Sequence, residues 1–263
     1  MTPFRLALCA SLAFAFMSPA TAGAAEPRPK PAPAAVATAP AADIEPEAVQ
    51  ALTRMSAYLG TLTAFDIKAD TSLDLIMTDG QKLKLDGANH YTVRRPDAFV
   101  VEVATPRKVR RLIYDGKSMT LYAPELGVYA TVPAPPTIRA AMEEASDRYD
   151  LVVPLADLFR WTDPNQKDRE PLTAAMVVGP AKVDGVEADQ YAFREAEVDW
   201  QIWIQKGDKP VPLKVVIIDR LDPTRPQFET RLHWDLSPQL TSDTFAFRPA
   251  TGAQAIRLTS VKP

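Results

Sequence analysis

The strongest constraint on the fold is a long run in which apolar and polar side chains alternate, followed by a turn and a second such run. The apolar positions of the first run are Phe65, Ile67, Ala69, Thr71, Leu73, Leu75 and Met77. Asp79-Gly80 is then typical of a tight hairpin turn. The alternation resumes at Leu83, Leu85, Tyr91 and Val93. A period of two places all these side chains on one face of an antiparallel strand pair, so the chain must fold around a sheet that is apolar on one side.

The rest of the chain predicts more strands and a few helices. Pro46 suits a first helical turn, and apolar residues follow it at three- and four-residue spacing up to Leu62. Thr137 is a suitable cap for a second helix, and Pro154 suits the start of a short third one. The other alternating segments predict strands at 99–103, 109–114, 119–123, 128–132, 174–178, 185–193, 198–206, 212–219 and 228–236. This order of elements indicates a mainly β, antiparallel domain of the α+β class.

The predicted sheet is too large for the predicted helices to cover. Roughly ten strands with one apolar face cannot be covered flat by three short helices, so the sheet should curl. Helices on the concave side of a curled sheet leave an apolar hollow that suits an apolar ligand. The alternative is that side chains fill the hollow completely, and the pattern of the sequence fits both.

The first 45 residues predict export followed by a linker. Arg5 precedes an almost wholly apolar run from Leu6 to Met17, and Ala22-Gly23-Ala24 has the small-x-small pattern of a signal-peptidase site. A transmembrane helix needs roughly 20 apolar residues, more than this run has, so we expect cleavage near Ala24 and no transmembrane span in the mature chain. Residues 25–45 are rich in alanine and proline, which predicts an extended linker. The predicted organisation is a signal peptide at 1–24, a linker at 25–45 and one domain at 46–263.

Cysteine and charge content exclude several classes of function. The only cysteine, Cys9, lies inside the apolar run, so the mature protein should have no disulfide, no thiolate metal site and no lipid attachment. The 33 acidic residues outnumber the 30 basic ones, which argues against binding to nucleic acids or anionic membranes. The sequence has no glycine-rich phosphate loop and no Gly-x-Ser-x-Gly motif. We therefore expect no cofactor and no nucleic-acid partner.

The histidines do not predict a catalytic or metal site. The chain has two, His90 and His233, and each falls on the charged side of a predicted strand. Around the second, one side of the strand carries Glu229, Arg231, His233 and Asp235. This spacing could assemble an acid–base pair, but a solvated face with ion pairs is the simpler interpretation. Two histidines on separate strands do not favour a metal site, so the sequence predicts a protein that is not an enzyme.

Several segments resemble a known fold. Residues 114–117 (Tyr-Asp-Gly-Lys), 121–124 (Leu-Tyr-Ala-Pro) and 128–130 (Val-Tyr-Ala) resemble the central hairpin of the periplasmic lipoprotein carriers (LolA/LolB-like), and 245–249 (Phe-Ala-Phe-Arg-Pro) resembles the end of that fold. Residues 155–161 (Leu-Ala-Asp-Leu-Phe-Arg-Trp) and 198–205 (Val-Asp-Trp-Gln-Ile-Trp-Ile-Gln) are similar to an uncharacterised family of predicted periplasmic proteins. The resemblance implies a half-barrel of about ten to eleven strands with a few short helices on its concave side. It also implies a periplasmic location and, from the carriers, the holding of acyl chains.

Eight apolar residues are the candidates to line the hollow. They are Trp200, Ile202, Ile204, Leu213, Val215, Ile217, Leu232 and Trp234, and Phe228 and Leu236 share their side of the sheet. Ordinary core packing is the alternative for each of them. Trp203 falls on the polar side of its strand, where either a loop or helix covers it or it belongs to a contact surface.

These features predict a non-catalytic periplasmic binding protein. Its ligand would be a lipid, an acyl chain or a lipoprotein held in the concave face of the curled sheet. The alternative is an envelope protein-interaction or sensory domain, with a protein partner and no small-molecule ligand.

Overall fold

The fold is built from twelve β-strands and two α-helices in residues 43–106, 108–151 and 171–260, which the computed structural model describes. The helices are α1 (Pro46–Thr61) and α2 (Ile138–Tyr149). The strands are β1 (Ala64–Ile76), β2 (Lys82–Arg94), β3 (Ala98–Thr105), β4 (Lys108–Tyr114), β5 (Ser118–Ala123), β6 (Val128–Pro133), β7 (Ala174–Val183), β8 (Val186–Arg194), β9 (Val198–Gln205), β10 (Pro212–Asp219), β11 (Gln227–Asp235) and β12 (Gln254–Ala255). The predicted signal peptide and the predicted helix at Pro154 lie outside the described residues, so the division of the chain at residues 24 and 45 stays a prediction.

All these strands lie in one sheet, in the order β12-β6-β5-β4-β3-β2-β1-β11-β10-β9-β8-β7. The pairing is antiparallel from β6 to β7, and the two-residue β12 lies parallel to β6. The sheet is curled and unclosed, because its first and last strands do not pair with each other. This confirms the predicted fold class, a curled antiparallel half-barrel of about eleven strands, and adds the short parallel strand at one edge.

Two hairpin meanders make up the sheet. The first runs from β1 to β6 and the second from β7 to β11, and each pairs strands that are neighbours in the chain. The pairing of β1 with β11 joins them, with Ile67 opposite Trp234 and Leu73 opposite Phe228. This contact across more than 150 residues makes one continuous apolar face out of two separate ones.

The two outermost long strands of the sheet, β7 and β6, are covered by other parts of the chain. At β7, Glu45 donates its backbone N–H to the carbonyl of Ala175 at 2.9 Å, and Ala175 donates to Asp43 at 3.2 Å. At β6, the N–H of Ile256 donates to the carbonyl of Tyr129 at 2.8 Å. Since an unpaired strand edge is a template for aggregation, these contacts protect both ends of an open sheet.

Helix α1 covers one half of the apolar face. Pro46 begins it, as predicted, and its buried side is Ala48, Ala51, Leu52, Met55 and Leu59. This side packs into one cluster with residues of β7 to β10, among them Tyr191, Ile202 and Val215. The three- and four-residue spacing places the buried side chains on one side of the helix, which packs on the apolar face of the sheet.

Helix α2 covers part of the other half. Its cap is Thr137, whose side chain accepts a hydrogen bond from the N–H of Ala140 at 3.3 Å, as the sequence predicts. Ile138, Ala141 and Ala145 pack into a second cluster with residues of β1 to β5 and with Leu232 of β11. Two separate core clusters therefore lie along one sheet, each under its own helix.

Candidate ligand-binding face

Both helices pack on the same face of the curled sheet, called here the concave face. Directly paired residues of antiparallel strands point to the same side. One such row across the sheet contains Phe193, Trp200, Ile217, Phe228, Leu73 and Leu85. Trp200 and Phe193 belong to the cluster under α1, so the whole row lies on the concave face.

Six of the eight predicted lining residues lie in the packed core. Trp200, Ile202, Ile204, Leu213, Val215 and Leu232 are between 0% and 7% exposed. The first five belong to the cluster of α1, and Leu232 belongs to the cluster of α2. Their contact with a ligand stays a prediction, and it requires α1, or for Leu232 α2, to move away from the sheet.

The other two predicted lining residues are partly buried. The indole Nε1 of Trp234 donates to the carbonyl of Pro212 at 2.7 Å, and its ring lies 5.6 Å from that of Phe65. Trp234 contacts both core clusters and so joins them. Ile217 contacts the cluster of α1 and lies between Trp200 and Phe228 in the row. It therefore marks the boundary between the covered part of the face and the part beyond it.

An apolar strip begins at this boundary and runs to the tip of the β1–β2 hairpin. We define it by Leu73, Leu75, Leu83, Leu85 and Phe228, which share the concave face. Leu85 is 47% exposed and Leu83 is 36% exposed, and neither core cluster includes any of the five. A contiguous exposed apolar surface next to a core is a common sign of a binding site.

The strip is exposed because the hairpin is longer than its neighbours. Strands β1 and β2 have 13 residues each, whereas β3 has 8 and β11 has 9. The pairing of β2 with β3 begins at Ala88, and that of β1 with β11 ends at Leu73. Beyond these residues the hairpin is a two-stranded arm. Sequence reasoning missed the strip, although the lengths of the predicted strands contained this signal.

The polar side of the arm is held by a carboxylate. Asp74 is 5% exposed and accepts a hydrogen bond from the Nζ of Lys84 at 2.9 Å, with the Nζ of Lys82 3.2 Å away. The N–H of Gln227 donates to its other oxygen at 3.2 Å. Burial alone would raise the pKa of Asp74, but the hydrogen bonds from Lys84 and Lys82 hold it below its usual value. These contacts fix the arm to the start of β11 and leave its apolar side free.

Two hydroxyl groups are buried on the concave face, and one of them, Thr230 Oγ1, has no hydrogen-bond partner among the described residues. Thr230 is fully buried, and Tyr91, which carries the other hydroxyl group, is 1% exposed. Burial raises the pKa of Tyr91, so this phenol stays protonated at neutral pH. Thr230 pairs with Thr71 and Val215, one row inward from the strip.

A groove of about 210 Å³ lies on the opposite, convex face. It is lined by Ile113, Asp115, Ser118, Thr120, Thr131, Phe245 and Phe247. Phe245 and Phe247 belong to the C-terminal segment, and the ring of Phe247 lies 5.0 Å from that of Tyr129. Three hydroxyl groups and a carboxylate line this groove, so it does not suit an acyl chain.

The remaining residues singled out from the sequence are also on the convex face. His90 Nε2 lies 2.8 Å from Asp66, and His233 Nε2 lies 3.2 Å from Asp70, whose side chain is 73% exposed. Both histidines are on an open surface of ion pairs. Trp203 is covered by Lys214, whose Nζ lies 4.9 Å from the ring centroid. Among the described residues there is no group of histidine, cysteine, aspartate and glutamate that could hold a metal ion.

A comparison with known protein families identifies one match. Residues 48–259 match a family described as predicted periplasmic protein (DUF2092). The chain belongs to this family. The family predicted from the sequence is therefore confirmed, and its description agrees with the predicted location, while cleavage of the signal peptide stays a prediction. A search of curated proteins found no match.

Solved structures are similar to this DUF2092 member at low identity. An uncharacterised conserved protein from Thermus thermophilus is 14% identical with a TM-score of 0.47, over 80% of this chain and 99% of the other. LprF from Mycobacterium bovis is 11% identical with a TM-score of 0.44, over 75% and 96%. A LolA superfamily protein from Nitrosomonas europaea is 8% identical with a TM-score of 0.39, over 76% and 97%. In the described part of the chain, no helix has the length and apolar character to cross a membrane.

Proposed function

We propose that the protein is a non-catalytic periplasmic binding protein whose concave face holds the apolar part of a lipid, an acyl chain or a lipoprotein. The observation that carries the proposal is the apolar strip. Leu83 and Leu85 of the strip are exposed, the strip lies on the concave face, and it continues into the core through Ile217. Export by a cleaved signal peptide is part of the proposal.

Binding would depend on burial of the apolar surface of both ligand and strip. Each methylene group removed from water contributes about 0.8 kcal/mol, so about eight methylene groups would contribute about 6 kcal/mol before the cost of association. The row from Leu85 to Ile217 crosses four strands, which is about 14 Å at the usual strand spacing. This width accommodates one or two extended chains.

The predicted lining residues would form a deeper part of the same site. Trp200 is the direct neighbour of Ile217, so a ligand that extends beyond the strip meets the cluster of α1 next. Entry there requires α1 to separate from β8, β9 and β10. The strip is therefore the part of the site that is open without rearrangement, and the eight predicted residues are the part that a longer ligand would open.

The first experiment is native mass spectrometry of the protein purified from its own envelope fraction. We expect an additional mass near one-to-one ratio, and solvent extraction should release a species that contains an acyl chain. A ligand-free mass, together with no uptake of a fluorescent fatty acid or lipopeptide, would refute the proposal. The favoured function would then be that of an envelope protein-interaction or sensory domain.

A variant of the strip locates the site. Leu85→Asp places a charge on the strip at a position that is 47% exposed, so we expect normal folding and at least about tenfold weaker binding of a fluorescent fatty acid. The matched control is Met176→Asp, because Met176 of β7 is 51% exposed and lies on the convex face. Equal binding by Leu85→Asp and the wild-type protein would place the ligand elsewhere.

A further inference from the structure

The strand connections of the sheet lie at two opposite ends. At one end, called here the leucine rim, are the connections 77–81, 124–127, 195–197 and 220–226. At the other end, called here the opposite rim, are 95–97, 115–117, 184–185 and 206–211. The antiparallel pairing fixes this division, because the end of β1 lies beside the starts of β2 and β11.

Exposed apolar side chains are unequally divided between the two rims. On the leucine rim, Leu221 is 68% exposed, Leu126 is 66% exposed and Met77 is 41% exposed. Each lies in a different connection between strands. Next to the opposite rim, Val186 at the start of β8 is 40% exposed, and the described residues of that rim's connections include no exposed large apolar side chain. Single exposed apolar residues are ordinary, but three at the tips of one rim need a reason.

Several charged side chains at and beside the leucine rim form ion pairs. Asp199 accepts from Arg194 at 3.0 Å and from Arg225 at 2.6 Å, and Arg110 lies 3.3 Å from Glu125. Hydrogen bonds from Arg194 and Arg225 outweigh burial and lower the pKa of Asp199, so it is ionised at neutral pH. The connections that form the rim carry five acidic residues and two basic ones, so they offer no basic patch to an anionic partner. Attraction to a partner would therefore come from the apolar tips and not from charge.

The apolar tips are separated and do not form one patch. Leu126 follows β5 and Leu221 follows β10, and five strands lie between these two in the sheet. This is about 29 Å along the sheet at the usual strand spacing. A protein partner would have to provide pockets at matching separations, since its surface is fixed. A fluid lipid layer accepts apolar tips at any separation.

We propose that the leucine rim docks on a lipid bilayer, with the side chains of Leu126, Leu221 and Met77 entering the boundary between head groups and acyl chains. The apolar strip begins at this rim, because Leu83 and Leu85 follow the hairpin tip directly. A docked molecule thus presents the strip to the bilayer. Docking itself does not depend on a ligand in the strip, so the two proposals can fail separately.

The test is flotation of the exported protein with vesicles of phosphatidylethanolamine and phosphatidylcholine, which are zwitterionic. We expect binding that changes little between low and high salt, because the apolar tips drive it. Leu126→Ser and Leu221→Ser should each weaken binding about tenfold, and the double variant about a hundredfold. Val186→Ser next to the opposite rim is the matched control and should bind as the wild-type protein does.

A fluorescent label reports the orientation. Cys9, the only cysteine of the chain, lies in the predicted signal peptide, so Leu126→Cys gives the exported protein one site for an environment-sensitive dye, and Val186→Cys gives the control site. We expect a blue shift on addition of vesicles for the label at 126 and none for the label at 186. Absence of vesicle binding, equal loss in Val186→Ser, or equal shifts at both labels would overturn the proposal.

Discussion

Replacement of Thr230 by valine tests whether the concave face really contains an unpaired hydroxyl group. Thr230 is fully buried in β11, and its Oγ1 has no hydrogen-bond partner among the described residues. Valine has nearly the same shape and an equally good strand propensity, so the substitution removes the hydroxyl group and leaves the packing in place. An unpaired buried hydroxyl group costs about 1–3 kcal/mol. We therefore expect Thr230→Val to raise the free energy of unfolding by about 1–2 kcal/mol.

Thr120 provides a matched comparison, for which we expect the opposite change in the free energy of unfolding. It is also a buried strand threonine, at 3% exposure, but its Oγ1 lies 2.9 Å from that of Thr131 and shares a hydrogen bond with it. Loss of that bond costs about 1 kcal/mol, and the new buried methyl group offsets part of it. We expect Thr120→Val to lower the free energy of unfolding by about 0.5 kcal/mol.

Urea denaturation of the two variants and the wild-type protein, followed by tryptophan fluorescence, measures both changes. The expected difference between the variants is about 2 kcal/mol, well above the error of such comparisons. If Thr230→Val destabilises the protein as much as Thr120→Val does, the Thr230 hydroxyl group has a partner and the reasoning is wrong. If Thr230→Val stabilises the protein but weakens ligand binding, that hydroxyl group contacts the ligand.

Three other substitutions test the packing described above. Met55→Ala should lower the free energy of unfolding, measured in urea, by about 2–5 kcal/mol, because Met55 is fully buried on the side of α1 that packs on the sheet. Gly87→Ala should lower the free energy of unfolding by about 1–3 kcal/mol, since a Cβ at this position would lie 2.8 Å from the carbonyl oxygen of Ala104. An unchanged free energy of unfolding would mean that the strand can shift to accommodate the methyl group. The lowered pKa of Asp74 contributes stability that is present above about pH 4 and is lost as the pH falls through the folded-state pKa. In Asp74→Asn, urea midpoints from pH 6 to 2 should fall less steeply than in the wild-type protein.

The local elements could be predicted because neighbouring residues determine them. The alternation from Phe65 to Met77 predicts β1 to within one residue at each end, and Asp79-Gly80 predicts its turn, where Gly80 has a φ of 85°. The cap at Thr137 and the first turn at Pro46 are equally local signals. Each depends on the conformational preference of one or a few residues, which does not change with the rest of the fold.

The pairing of β1 with β11 could not be predicted in this way. Both strands have an apolar side, and so do most strands of the sheet, so the alternation does not identify partners. The contact joins residues that are far apart in the chain, such as Ile67 and Trp234. Formation of this contact depends on the packing of the whole sheet. Strands β1 to β11 were thus predicted as a set, while β12 and the order of the strands came from the structure.

Alternation also cannot separate covered from uncovered positions on the same face. Trp200 and Leu85 both occupy apolar positions of regular strands in the same row, yet Trp200 is 7% exposed and Leu85 is 47% exposed. The difference comes from α1, which reaches one and not the other. Strand length carries the missing information, because a 13-residue hairpin beside strands of 8 and 9 residues must extend past them. Where a hairpin extends and keeps its apolar alternation, its apolar side is left for something other than the core, and in this protein that side forms most of the strip.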